Sequence, residues 1–297
     1  MRSEELRMLL SAIAQNDLRT AIKIAKCAIR KEQVDQNTSD NSGKSLLIYA
    51  VMNHDKYAVD DLIRRGADIN HRDAEGKTAL IHAVQRYCDT SIANFLIRSG
   101  ADINISDKFG RTALIYAVLE EKRIIMPIIN TILVSGPDID HSDSYLKNAL
   151  IYAIDSENIA KLDNILRGGA NPNKIDGLVL PPLLYAVYKE YATEIGHLIK
   201  HGADVNLQNK NGMSAAMVAA QAGNKNILIM LAKRGANLKL RDADGCSAYD
   251  IAIKNGNVDF ANEVISMLFG DQMARNRETL HRLQRSPGGK ALERLRV

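Results

Sequence analysis

The chain has 297 residues, 46% of them apolar and 5% aromatic, with no Trp. So large an apolar share excludes a disordered chain. The net charge of +4 is unevenly placed: residues 271–297 hold seven Lys/Arg against three Asp/Glu, and the other 32 basic and 32 acidic residues cancel. Cys27, Cys88 and Cys246 are too few and too far apart for a disulfide framework or a thiolate metal site, which points to a reducing, cytoplasmic setting. Asp, Glu or Arg interrupts every apolar stretch, so neither a signal peptide nor a transmembrane helix is expected.

Residues 3–30 read as two helices. Leu6, Leu9, Leu10 and Ile13 fall at helical spacing, as do Ala21, Ile22, Ala25 and Ile29, and Asn16-Asp17 separates the two runs. They predict a capping pair over residues 1–37, which shields the first apolar face of the next helices in the chain. Residues 33–42 are polar and rich in Asn, Asp and Ser, and predict a loop.

Beyond that loop the chain repeats itself. Gly66-Ala-Asp-Ile-Asn70, Gly100-Ala-Asp-Ile-Asn104 and Gly202-Ala-Asp-Val-Asn206 are copies of one element; Gly76-Lys-Thr-Ala-Leu-Ile-His-Ala83 and Gly110-Arg-Thr-Ala-Leu-Ile-Tyr-Ala117 are copies of another. The equivalent alanines are Ala50, Ala83, Ala117, Ala153, Ala186, Ala219 and Ala252, whose numbers differ by 33, 34, 36, 33, 33 and 33. A period of this length is the mark of a solenoid built from repeated supersecondary units. The expected units run about 38–73, 74–107, 108–143, 144–176, 177–209, 210–242 and 243–270.

Each unit obeys one physical logic. Asp-x-x-Gly, as at 73–76 and 107–110, makes a tight turn in which glycine takes positive φ. Thr78 and Thr112 then cap a first helix. Leu80, Leu114 and Leu150 point inward, each burial contributing roughly 1.5–3 kcal/mol. A second helix comes next, as over residues 91–98, and Gly66, Gly100, Gly169, Gly202 and Gly235 close these helices in the left-handed conformation. The third unit is about three residues longer, with Pro127 at the first turn of its second helix. The fourth and fifth carry Leu146 and Val179 where a turn glycine belongs, and Pro181-Pro182 stiffens the fifth. After Gly270, residues 271–297 form a basic tail, helical in part or mobile, broken at Ser286-Pro-Gly-Gly289.

At these residues the chain resembles the ankyrin-repeat family over about residues 38–270. The resemblance implies an all-α solenoid of helix-turn-helix repeats with short β-hairpin-like loops, about seven repeats plus the N-terminal capping helices. Where the family has Thr-Pro-Leu-His, Ala replaces Pro in most repeats here, and Tyr49, Tyr116, Tyr152 and Tyr185 replace His. These tyrosines are expected to pack between repeats with their hydroxyls satisfied locally.

Chemistry is not visible. There is no phosphate-binding glycine loop, His-Glu-x-x-His or nucleophile elbow. His71 and His141 stand at equivalent loop positions, a structural use and not a ligand pair. No catalysis, cofactor, metal or small-molecule substrate is expected, and no nucleic-acid recognition motif accompanies the charge.

Function is therefore sought on the surface. In the family the loop tips and exposed first-helix positions form a concave face that binds a protein partner. Carried over by position, the residues after the turn glycine are Lys44, Lys77, Arg111, Lys147, Leu180, Met213 and Cys246. Four of these are basic, so Lys77, Arg111 and Lys147 would belong to a positive ladder steering an acidic or phosphorylated partner. Phe109, Tyr145 and Leu178 occupy tips that usually face water, with Leu180, Tyr188 and Met213 expected nearby as an apolar hot spot. Contact of the basic tail with an acidic partner or membrane surface is a further expectation. The wording Thr-Ala-Leu-Ile-Tyr-Ala is also similar to bacterial ankyrin proteins. That resemblance implies an alternative, an effector exported into a host cell with its signal in the tail.

Overall fold

A computed structural model describes residues 37, 39–87, 89–121, 125–175 and 180–267. The expected N-terminal capping pair and the basic tail lie outside the described residues. All regular structure among them is helical, apart from isolated bridges pairing Ser39 with Ser45 and Ser106 with Thr112. The chain divides into two units, the first running to Pro172 and the second comprising Asn173–Ile175 and the residues from Val179 onward.

The first unit holds α1 (Leu46–Met52), α2 (Lys56–Arg64), α3 (Ala79–His82), α4 (Thr90–Arg98), α5 (Ala113–Leu119), α6 (Met126–Val134), α7 (Ala149–Asp155) and α8 (Ile159–Arg167). The second holds α9 (Pro182–Tyr188), α10 (Ala192–Lys200), α11 (Ala215–Ala222), α12 (Lys225–Lys233), α13 (Ala248–Lys254) and α14 (258–267). Helices of seven to nine residues are too short to persist alone in water. They stand because each buries one face against its neighbours. Leu80, Leu114, Leu150 and Leu183 are buried, and Ala50, Ala83, Ala117 and Ala153 are completely so.

The sequence explains where each helix starts and stops. The side chains of Ser45, Thr78, Thr112, Asn148 and Ser247 accept the backbone N–H three residues on. Asp55, Asp89, Asn158 and Asn224 do the same for the second helices. Pro127 lies in the first turn of α6, which has no side-chain cap. Pro182 begins α9 with φ already set. The second helices end at left-handed glycines, with φ of 85° at Gly66 and 92° at Gly100.

The turn motif is equally explicit. Gly43, Gly76, Gly110, Gly212 and Gly245 take φ between 73° and 79°. A Cβ on Gly43 would meet the Ala74 nitrogen at 2.7 Å, because successive turns are bonded to one another. The N–H groups of Ala74, Lys108 and Ser144 donate to the carbonyls of Ser42, Glu75 and Phe109, at 2.8–2.9 Å. The fourth turn has no glycine, and Leu146 itself adopts φ of 60°.

The last residue of Gly-Ala-Asp-Ile-Asn builds a second ladder. The Oδ1 of Asn70 accepts the N–H of Asp102, and that of Asn104 the N–H of Asp138, each at 2.8 Å. In the second unit Asn173 and Asn206 repeat the contact to Asp204 and Asn237. The motif's aspartate holds its own loop, Asp102 Oδ1 accepting the Asn104 N–H at 2.8 Å.

The two longer spacings also have a place. From the core alanine to the cap of the second helix is five residues in α1–α2 (Ala50 to Asp55) but six in α3–α4 (Ala83 to Asp89). The extra residue is absorbed as a π-helical turn, Ala83–Tyr87. The three extra residues of the third repeat lie between Ala117 and Ile125, the N-cap of α6. Lys161 of α8, 4% exposed, secures this connection by donating to the carbonyls of Val118 and Glu120 at 2.7 Å each. Burial draws its ammonium below the usual lysine value, against the pull of Glu120 and Glu121.

Removing one rung tests the ladder. Asn104→Ala leaves the Asp138 N–H without its protein acceptor and should cost about 1 kcal/mol, read as a lower midpoint in urea unfolding.

Candidate partner-binding surface

The tips of the first unit are organised by a buried carboxylate. In the second repeat Asp73 Oδ1 accepts the N–H groups of Glu75 and Lys77, both at 2.9 Å, and Oδ2 receives His82 Nε2 at 2.8 Å. In the third, Asp107 accepts from Phe109 and Arg111, and its Oδ2 takes the Tyr116 hydroxyl at 2.6 Å. Asp143 with Tyr152, and Asp40 with Tyr49, repeat the arrangement at 2.6 Å. The hydroxyls of Tyr49, Tyr116 and Tyr152 are thus satisfied locally, as their place in the repeat predicts. Burial and the adjacent carboxylate push their hydroxyls well above the ordinary tyrosine value, Tyr152 to about 12. His71 and His141 are structural as well, bonding the carbonyls of Gly43 and Gly110.

His82 is the titratable exception. Burial lowers its pKa below the ordinary 6.5, outweighing the pull of Asp73. The contact with Asp73 is therefore a neutral-imidazole hydrogen bond, Nε2–H donating, and not an ion pair. Burial works to raise Asp73, but the hydrogen bonds from His82, Lys77 and Glu75 leave it below the usual carboxylate value.

The four basic residues that follow the turn glycine or its equivalent each have a partner inside the protein. Lys77 pairs with Glu75 at 2.7 Å and lies 5.6 Å from the Tyr116 ring of the next repeat. Arg111 reaches Asp143 at 3.4 Å and stands 5.4 Å from the Tyr145 ring, again in the next repeat. Lys147 pairs with Asp155 at 2.6 Å beside Tyr152, and Lys44 donates to Ser42 at 3.0 Å. Lys77 and Arg111 reach into the next repeat, and Lys77, Arg111 and Lys147 each stand against a carboxylate, so most of the row is neutralised where it stands.

The apolar tips are different. Phe109 is 51% and Tyr145 57% exposed, on adjoining turns joined by the Ser144–Phe109 backbone bond of 2.8 Å. Leu146, 47% exposed, extends the patch. The sequence showed the missing glycine at Leu146 but not that its side chain would be displayed. In the second unit Tyr188 at the end of α9 is 63% exposed, while Leu180 and Met213 are half-buried. Leu178 lies outside the described residues. Among the described residues no group of three or more His, Cys, Asp or Glu could hold a metal ion, and no helix is long and apolar enough to cross a membrane.

The His82–Asp73 contact makes a pH prediction. Its folded pKa is depressed, so the folded state favours neutral imidazole. The stability this gives is present above about pH 6.5 and declines as pH falls below it; Asp73, also depressed, adds its loss only at lower pH. His82→Tyr, which copies the neighbouring repeats, should remove the decline between about pH 6.5 and pH 5, checked by urea midpoints across that range.

Comparison with known proteins accords with this geometry. A family model described as Ankyrin repeats (3 copies) matches residues 9–107, 47–143, 80–176 and 183–276. Among solved structures the chain is similar to the ankyrin repeat domain of Bcl-3, described as a unique member of the IkappaB protein family. The two share 23% identity and a TM-score of 0.67, over 75% of this chain and 100% of that one. It is also similar to the human ASB11 ankyrin repeat domain, at 22% identity and a TM-score of 0.58, over 75% and 98% of the two chains. No curated protein matches it as a relative. The family match spans most of the sequence, and the turn, cap and core residues it rests on are those just described: the chain belongs to the ankyrin repeat family.

Proposed function

We propose that this protein is a non-catalytic interaction module that binds a protein partner at the turn tips of its first unit. One observation carries the reading. Phe109, Tyr145 and Leu146 present large apolar side chains to solvent on adjoining turns, and Leu146 does so in a left-handed conformation that glycine fills in five other turns. A leucine there costs about 1–2 kcal/mol. Strain retained beside an exposed apolar patch supports a binding role. Ankyrin repeats as a family mediate protein–protein interaction.

The partner this surface suits offers an apolar segment to the tips and acidic groups to their rim. Lys77, Arg111 and Lys147 are already paired, so they contribute orientation and association rate more than affinity.

The test is affinity capture with Phe109→Ala/Tyr145→Ala, using Tyr57→Ala on the outer helix α2 as a control that also removes an exposed aromatic ring. The double variant should lose the partner by about tenfold or more with unchanged circular dichroism, while Tyr57→Ala binds as before. Retained binding by the double variant would exclude the tips. Leu146→Gly should raise stability by about 1 kcal/mol in thermal unfolding while weakening capture.

A further inference from the structure

The seventh repeat is the last among the described residues, and its outer face is unlike the face of any repeat before it. Val51, Val84, Val118 and Ile154 share one position of the first helix and are completely buried; the equivalent Ile253 of α13 is 48% exposed. Three residues earlier, where Ile48, Ile81, Ile115 and Ile151 are buried, stands Asp250. Lys239 takes the place at which Asn70, Asn104 and Asn206 reach forward to the next repeat. Asn211 accepts a backbone bond from Ala243 of the next turn; no such bond reaches its equivalent, Asp244, among the described residues. Beside these residues opens a cavity of about 620 Å3, lined by Leu238, Tyr249, Val264 and Ile265 together with Lys239 and Arg241.

A terminal repeat that exposes its stacking face needs a cover, and two observations select it. Thirty residues come after 267, leaving directly from α14, whose Val264 and Ile265 line the cavity. Attachment at that point gives them a high local concentration there. Charge agrees as well. Over residues 239–267 Asp250 is paired with Arg241 at 3.5 Å and Glu263 with Lys225 at 2.7 Å, which leaves Asp242, Asp244 and Asp259 against Lys239 and Lys254, three against two, a balance of −1. Residues 271–297 carry seven basic against three acidic, a balance of +4. A second copy meeting this face through the same face would instead set like charge on like.

We propose that residues 271–297 seat on the end face of the seventh repeat, with Met273, Leu280 and Leu283 covering Tyr249 and Ile253 and the arginines facing Asp244 and Asp259. The basic tail is then an intramolecular ligand of the acidic terminal repeat. This inference does not depend on the tip surface of the first unit.

Hydrogen exchange on the full chain tests it, comparing wild type with Leu280→Asp/Leu283→Asp. The expected result is exchange over residues 248–267 faster by about tenfold or more, with residues 46–167 unchanged. Arg282→Glu/Arg285→Glu should give a smaller acceleration that wild type reproduces in high salt. Because the substitutions lie outside the described repeats, unchanged exchange over 46–167 shows the fold intact. Equal exchange over 248–267 in wild type and the leucine variant overturns the proposal. So does protection in wild type that disappears on dilution, which would assign the face to a second copy.

Discussion

The turn carboxylate is the interaction on which each repeat of the first unit depends. One oxygen closes the turn by accepting two backbone N–H groups, and the other takes a hydroxyl or imidazole from the adjoining first helix. A buried carboxylate without such partners would be costly; with all of them it locks turn, helix start and helix orientation into one piece. Two turns of the second unit show which half is indispensable. Asn209 and Asp242 still close their turns, accepting the N–H groups of Met213 and Cys246. Nine residues on, however, stand Val218 and Ile251, which have no donor to offer. The backbone half survives and the side-chain half is dispensed with.

Repetition makes departures meaningful. The extra residues of the second and third repeats both fall between the first and second helix, the one place where neither the turn ladder nor the Asn ladder is interrupted. A single inserted residue is taken up as a π-helical turn, and the longer connection is held by the buried ammonium of Lys161. Both solutions keep every core leucine and alanine in phase with its neighbours.

The candidate surface was only partly legible. Phe109 and Tyr145 could be placed at the tips because the turn motif fixes which residue faces outward. The basic ladder was a weaker inference. Position in a repeat puts Lys77, Arg111 and Lys147 in one row, but whether a cation is free depends on groups brought near by folding, such as Asp143 for Arg111 and Asp155 for Lys147. Leu146 carried a signal that was readable in principle. A turn requiring positive φ without a glycine obliges the substitute to adopt it, and Leu146 does so at φ 60° with its side chain 47% exposed.

The sequence by itself determined the repeat, its period, its caps and its buried leucines and alanines. All of these rest on local rules, in which a residue's role is set by neighbours within a few positions. Tertiary structure alone decided how the charges pair, which tyrosine each cation lies beside, and which apolar side chains stay exposed. Arg111 with Asp143 and Lys77 with Tyr116 are about one repeat apart in sequence and meet only when one repeat stacks on the next, while Lys77 with Glu75 and Lys147 with Asp155 are brought together by the fold of a single turn and its helix. Ile253 shows the difference most plainly: its place in the motif is that of a buried core residue, and the structure leaves it 48% exposed.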